Sequence, residues 1–549
     1  MEQIKKVCRR HRSWLLLFLC FVACQSVVQA QGYYDAAQRP DGEGTKEHPY
    51  ELFSTEHFLW IAQQVNSGND LRDEYFAVTQ DIDFSDTRNW DDGHGWRAIG
   101  GLFMKNGIAK KLAFRGHLEG NNHVFYKLYG SRPDADYQGL FGYVDNATIK
   151  NLHLRFFKVE GSENVGALSG YTFESNIENI RLETAIVKAS HFFVGGAIGY
   201  MNGGYVKDCS LKGAVEGVDY VGGLLGWCLD GLVTGCRVCA DVKNIVNPDN
   251  GEMGRMAGGL VAYLNKGRIE YSGFWGNVEG GNQIGGLVGD ATHSKISDSF
   301  VSYIDSPDID GQKTIKGQTY VGGLVGKNED TPVSDCFSHI SVEGSASVGG
   351  LIGSSDYTDT RVVRSYAACA VKAEQKDLAG GFIGTKSYSG SVDSCYYDKE
   401  LAPELSAVGG YSHESVNCEG KTTAEMKQAA TYAGWNFASH WLIDAKINDG
   451  YPYPNFFIDT HIQEAPTVAQ QMEIQAKING ILCEVSANQP LSSVSLYLTD
   501  GRLKLRKTDL NVRSLTFRYP FKRNKIFLLV CRFKNNRTET IKLTIKVNQ

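Results

Sequence analysis

Asn151, Asn179, Asp208, Asp298 and Asp335 recur at one position of a repeating block, apolar-x-(Asn/Asp)-small. Carboxylates stacked on neighbouring turns of a fold are what a polysaccharide lyase or hydrolase needs, an acid and a base on one face. The same position takes Asn as readily as Asp and sits between short apolar runs. Those are turn properties, so turn-making is the better account and catalysis the alternative. Asp81, Asp83 and Asp86 cluster, as do Asp91 and Asp92, and such oxygens suit calcium; loop carboxylates are common, so no metal is expected. Cys236-Arg237-Val238-Cys239 has no second CxxC to complete a zinc set. There is no HExxH, no GxSxG and no P-loop. GGLVG lacks the helix that a dinucleotide fingerprint requires, and Gly289-Asp290 is not part of a calcium nonapeptide array, because the period is too long. Trp435, Trp441, Tyr451 and Tyr453 suit a sugar platform, but an apolar plug over the end of a repeat array explains them better. No catalytic residue, cofactor site or metal site is expected, and the binding residues are left open.

The elements that hold these residues come from a repeat. VGG-Leu-apolar-Gly appears as Val194–Gly199, Val221–Gly226, Ile284–Gly289, Val321–Gly326, Val348–Gly353 and Ala379–Gly384. Weaker copies are Gly139–Gly142, Val165–Gly170 and Ala257–Ala262. The spacing is about 27 residues, with insertions at 243–256 and 304–318. Each unit holds three short runs with period-two alternation, divided by Gly, Asn or Asp; this is strand grammar. Three strands per unit, repeated in tandem, predict a right-handed parallel β-helix, while a propeller blade would need a longer period. Cys209, Cys236, Cys336 and Cys395 fall in one column with Ser272 and Ser299, which points to small packed interior side chains before bridges. Strand alternation forbids both the motif leucine and the next apolar residue from facing inward, and the leucine is the one expected inside.

The chain has 549 residues and a formal net charge of −6, which disfavours nucleic acid and membrane surfaces as partners of the whole. Lys5, Lys6, Arg9, Arg10 and Arg12 precede an apolar run, Trp14–Cys24, and Val28-Gln29-Ala30 offers a cleavage site. Residues 1–30 therefore read as a secretory signal peptide, with lipidation of Cys24 as the less favoured route. No later stretch is long and apolar enough to span a bilayer. Ser54 can cap a helix running to about Asn66 and stopped by Gly68; a second helix starts with a capping box at Thr422–Glu425 and ends at Gly434. Residues 461–471 are polar and linker-like. From residue 472 short alternating runs predict a small β-sandwich. From residue 470 onward there are 15 Lys and Arg against 5 Asp and Glu. That excess could meet an acidic polymer, but protection of edge strands is the favoured reading.

The motif residues resemble the GLUG-motif repeat of exported bacterial adhesin-like surface proteins and some immunoglobulin A peptidases. The resemblance covers 139–384 strongly and reaches outward to 44–66, 75–83, 96–100 and 114–123 and to 421–435 and 450–453. It implies a leader and solenoid cap at 31–138, a solenoid at 139–400, a closing segment at 401–460 and surface adhesion. The tail at 472–549, through Leu496–Arg502 and its closing apolar-Lys strand, resembles the sorting module of Bacteroidetes type IX secretion cargo. It lacks the usual Gly-x-Tyr, with Asn524-Lys525-Ile526-Phe527 standing there. These resemblances imply a protein secreted or held on the outer surface of a Gram-negative bacterium, with a glycan or protein of a host or bacterial surface as partner. A carbohydrate-active β-helix enzyme and a structural spacer are the alternatives.

Overall fold

Each copy of VGG-Leu-apolar-Gly places a corner inside six residues. In the computed structural model, Asp219–Gly222 and Leu225–Leu229 are strands with Gly223 and Leu224 between them. The bend interrupts strand alternation, so Val221, Leu224 and Leu225 are all fully buried. The same holds at Ile284, Leu287 and Val288 and at Val321, Leu324 and Val325. The leucine faces inward as expected, but the expectation that its neighbour must then face out is wrong. That rule applies within one strand, and here the two residues lie on either side of the corner. The backbone stays paired: the N–H groups of Leu224 and Leu225 both donate to the Leu260 carbonyl, at 2.9 and 3.0 Å, and Leu287 and Val288 do the same to Leu324. The first glycine of the motif is fixed by space. A Cβ on Gly222, Gly285 or Gly322 would lie 1.8 to 1.9 Å from the carbonyl oxygen three residues on.

The structure describes residues 32–105, 108–304, 313–356, 360–387, 390–410 and 416–457. In the tail it describes 474–479, 482–498, 503–507, 512–518, 526–533 and 538–544. The signal segment with Cys24 and the 461–471 linker lie outside these residues. The chain forms two compact units, Met1–Asn455 and Phe456–Gln549.

The first unit is a parallel β-solenoid of about 12 turns. Among the described residues its walls are a ten-stranded sheet following the motif corner, an eight-stranded sheet preceding it, and a 26-stranded sheet carrying two strand columns per turn. Three further corners use the left-handed backbone region. One holds Asn146, Asp230, Lys266, His293 and Asp330; a second holds Asn151, Asn179, Asp208, Asp298 and Asp335; a third precedes the motif. The ladder runs past the motif copies at both ends. Tyr50–Leu52, Tyr75–Val78 and His117–Glu119 pair in series with Thr148–Arg155, and Val416–Lys421 pairs with Ser391–Asp398. Register along one wall is matched by alternating charge: Glu160, Lys188, Glu216, Lys243, Glu279, Lys316, Glu343 and Lys372 are successive neighbours. A slip of one rung would place like charges opposite each other.

Helix α1, Thr55–Ser67, closes the first turn. It buries Phe58, Leu59, Ile61, Ala62 and Val65, and the Phe58 ring meets Phe84 and Phe125. Ser54 occupies the N-cap in extended conformation, but its side chain makes no capping bond; Gly68 ends the helix at φ +110°. Helix α2 has the full capping box of Thr422 and Glu425, yet it is one turn, Thr423–Met426, and does not reach Gly434. Among the described residues the second unit is antiparallel throughout. Its long strand Leu482–Leu498 pairs with Ile474–Asn479 and Val512–Arg518, and with Leu503–Lys507 and Ile526–Phe533, which in turn pairs with Thr538–Thr544. Among the described residues four strands thus pair directly with Leu482–Leu498, and Thr538–Thr544 joins them through Ile526–Phe533.

Candidate functional site

The polar column singled out in the sequence is a backbone device. Asn151, Asn179, Asp208, Asp298 and Asp335 have φ between +50° and +57°, where short polar side chains are tolerated. Other turns place Gly235, Tyr271, Arg364 and Ser394 there. Asn179 donates to Asn151, and Arg364 forks onto Asp335. The N-terminal carboxylates also hold backbone. Asp81 accepts from the Val124 N–H, Asp83 from the Ser85 N–H, and Asp91 is gripped by Arg97 and Arg132. Among the described residues no group of three or more His, Cys, Asp or Glu is arranged to hold a metal ion.

The cysteine column is explained by one hydrogen bond. Cys209, Cys236, Cys336 and Cys395 each point a thiol at the carbonyl two residues back, at 3.1 to 3.4 Å. Ser272, Ser299 and Ser365 make the same bond at 2.8 to 2.9 Å. A small side chain with one donor fits, so thiol and hydroxyl interchange. Burial pushes the Cys228 and Cys395 thiols up to about 12, and the described cysteines are unbridged.

Trp435, Trp441, Tyr451 and Tyr453 are buried, as an apolar plug requires. They lie along the side of the last turns, not over the open end. Trp435 donates to the Ser394 carbonyl, His440 meets Asp298, and Tyr451 donates to Asp398. This strap covers an outward aromatic column, Phe300, Phe337 and Tyr366, whose successive rings stack at 5.2 Å. His339 is sealed beneath it, against Asn448 and the Tyr451 ring. Burial pulls its pKa down to about 4, with Asp449 and Asp398 opposing and Lys427 adding to the effect. A histidine lowered on folding leaves stability intact above its ordinary pKa near 6.5 and loses it as pH falls toward 4, about 3 kcal/mol in all. Asp290, whose carboxyl is raised to about 7 by burial, works in the opposite direction over the same interval. The difference in stability between the native chain and His339→Gln isolates the histidine. It is expected to move against the native chain between pH 6.5 and 4 in urea titrations; a constant difference would contradict the sealed strap.

Among the described residues an outward aromatic feature without such a cover lies on the ten-stranded sheet. The residue after the last motif position is Tyr143, Tyr171, Tyr200, Trp227 and Tyr263 on five successive turns, in direct register. Tyr143 and Tyr171 stack at 4.7 Å, and Tyr200 and Trp227 at 5.0 Å. A second file, Tyr137, Phe193 and Tyr220, flanks them from the corner before the motif, and Tyr220 stacks on Trp227 at 5.7 Å. Apart from Tyr143, which is buried, these rings are half-buried. Lys111 sits over the Tyr143 ring at one end. At the other end the column continues as Asp290, Lys327, Ser354 and Thr385. The Asp290 carboxylate accepts from Gln283 and Thr292 at 2.8 and 3.1 Å. Reading one residue past each motif copy exposes this strip in the sequence; attention to the motif itself missed it.

No family model matches this chain, and no solved structure matches it. A Gly-rich membrane protein of Evansella cellulosilytica is 30% identical over 179 residues, 32% of this chain and 19% of that protein. Halomucin of Haloquadratum walsbyi is 33% identical over 161 residues, 29% of this chain and 2% of its own length. The chain thus spans under a fifth of either relative. Among the described residues no helix is long and apolar enough to cross a membrane. The solenoid and the names of these relatives are compatible with a repetitive surface protein.

Proposed function

We propose that this chain is a secreted or surface-displayed binding protein of adhesin type, with the solenoid as a rigid rod and the aromatic strip as the face that meets its ligand. The observation that carries this reading is the strip itself. Five consecutive turns place a large ring where later turns of the same column place Asp, Lys, Ser and Thr. The core does not need those rings, since the polar turns fold around the same buried leucines. Contiguous aromatic surface on an outward sheet face is typical of interaction sites. The resemblance to GLUG-motif proteins and the sorting-like tail extend the reading to the outer surface of a Gram-negative bacterium.

Asp290 supports a second reading. A carboxyl held near neutrality at the end of an aromatic strip is how a general acid is prepared, and Glu329 and Asp356 both push it up. Its oxygens are already engaged by Gln283 and Thr292 and it is 4% exposed, so binding is preferred to polysaccharide cleavage. An array of glycans and extracellular proteins probed with the full chain, with reducing ends assayed on every glycan retained, separates the two. Retention without release of sugar is expected. Sustained release would overturn the binding reading in favour of the enzyme, and a blank array would leave the spacer.

A further inference from the structure

We propose that the strip takes an extended, uncharged polysaccharide lying parallel to the solenoid axis, about one sugar to each turn. This deepens the binding function proposed above and rests on it. Three features of the molecule point to that ligand.

The first is spacing. Successive turns are separated by the strand–strand distance of about 4.8 Å, so the five ring-bearing turns cover about 19 Å. An extended chain of pyranose sugars advances by a similar step per residue. Its rings therefore stay in phase with the column over the whole strip, which a folded protein surface or an irregular peptide does not do. The pairs also vary in tilt: Tyr171 and Tyr200 meet edge to face at 81°, and Trp227 and Tyr263 at 58°. The strip thus offers ring edges, parts of ring faces and phenolic hydroxyls together, matching the alternating C–H and O–H surface of a sugar. Asn202 and Asn265 stand beside it, within reach of the Tyr171 and Tyr263 hydroxyls at 3.4 and 2.9 Å.

The second is backbone strain. Tyr137, Phe193 and Tyr220 hold φ of +56°, +58° and +57°. The same corner is filled by Met256 on the turn of Tyr263, by Asn164, Gln283 and Ser347 on other turns, and by Tyr320 beyond the strip. A bulky side chain in that region costs about 1–2 kcal/mol. Three of them beside the ring column, where Asn would serve the turn better, are a local strain that folding does not require.

The third is charge. Glu163 and Asp136 are neighbours at the strip edge, the Glu163 N–H donating to the Asp136 carboxylate; burial raises the Glu163 pKa and the Asp136 charge adds to it. Asp145 and Asp219 flank it, with Arg115 and Arg255 paired to them. With Asp145 and Asp219 balanced by their arginines and Lys111 over the Tyr143 ring, the negative charge beside the strip is that of Glu163 and Asp136; on a unit that is net acidic it disfavours an anionic polymer and leaves an uncharged one unaffected.

The test is calorimetric titration of the full chain with uncharged β-linked hexose oligomers of increasing length, with polygalacturonate as the anionic control. Affinity is expected to rise with each sugar up to about five or six and then level off, with no binding of polygalacturonate. Tyr200→Ser together with Trp227→Lys, residue types that the same column carries at Ser354 and Lys327, is expected to weaken the longest oligomer at least tenfold with the melting temperature little changed. Should that pair melt early, Tyr263→Asp, which copies the residue type of the next turn in the column, serves in its place. Affinity independent of length, preference for polygalacturonate, or full affinity in the variants would overturn the polysaccharide assignment. Retention of a protein on the array by the same variants would overturn it too while leaving the binding function standing; a blank array for the native chain would fail that function itself.

Discussion

Leu287→Asp is expected to lower the stability of the solenoid by roughly 5 kcal/mol or to abolish its cooperative unfolding. Leu287 is fully buried, and its side chain lies among the motif residues of the turns on either side. The substitution removes apolar burial worth about 2–3 kcal/mol and leaves a carboxylate with no cation in the interior. It then either carries its charge without a partner or binds a proton at a raised pKa, and both states are unfavourable. Each turn contacts only its neighbours, so the damage divides the rod at its middle and unfolding by circular dichroism should broaden or split. An unchanged melting temperature with new self-association would mean that the leucine column faces outward, contrary to the structure.

Gly322→Ala is expected to cost about 3 kcal/mol or more, although it adds a single methyl group. The new Cβ would lie 1.9 Å from the Val325 carbonyl oxygen and 2.7 Å from the Gly353 backbone nitrogen. Both obstacles are backbone, and the Val325 strand is paired on both sides, so there is no side chain to swing away. Gly251→Ala is the comparison. Gly251 has φ +73° but nothing within 4 Å of a Cβ, so only conformational strain of about 1 kcal/mol is expected there. Equal losses from the two substitutions in urea unfolding would contradict a sterically fixed corner.

The repeat made the solenoid legible, because a period of about 27 residues with three alternating runs has few other solutions. The cysteine column and the turn-forming Asn/Asp column were legible for the same reason: both are chosen by local backbone, and local rules survive in sequence. The strand rule misplaced the residues that follow the motif leucine because a corner, invisible as such in the string, divides Gly223-Leu224 from Leu225. The strap was misplaced for a different reason. Its aromatic residues announce burial but not against what, and the answer lies far upstream in Phe300, Phe337 and Tyr366. Each follows a member of the cysteine/serine column, so the signal was present but required the turns to be stacked first. The aromatic strip is similar. Tyr143, Tyr171, Tyr200, Trp227 and Tyr263 are far apart in the chain and become one surface only when the turns are set in register.

That separation between an interior that holds the rod together and an outer strip that holds the ligand is the central claim. It is tested most directly by measuring, on the same samples, the melting temperature and the retardation in a gel containing an uncharged β-linked polysaccharide. The native chain and the Tyr200→Ser, Trp227→Lys pair are compared. The two proteins are predicted to melt within a few degrees of one another, with the native chain retarded and the variant running freely. Equal retardation of both folded proteins would show that the ligand is held somewhere other than the strip.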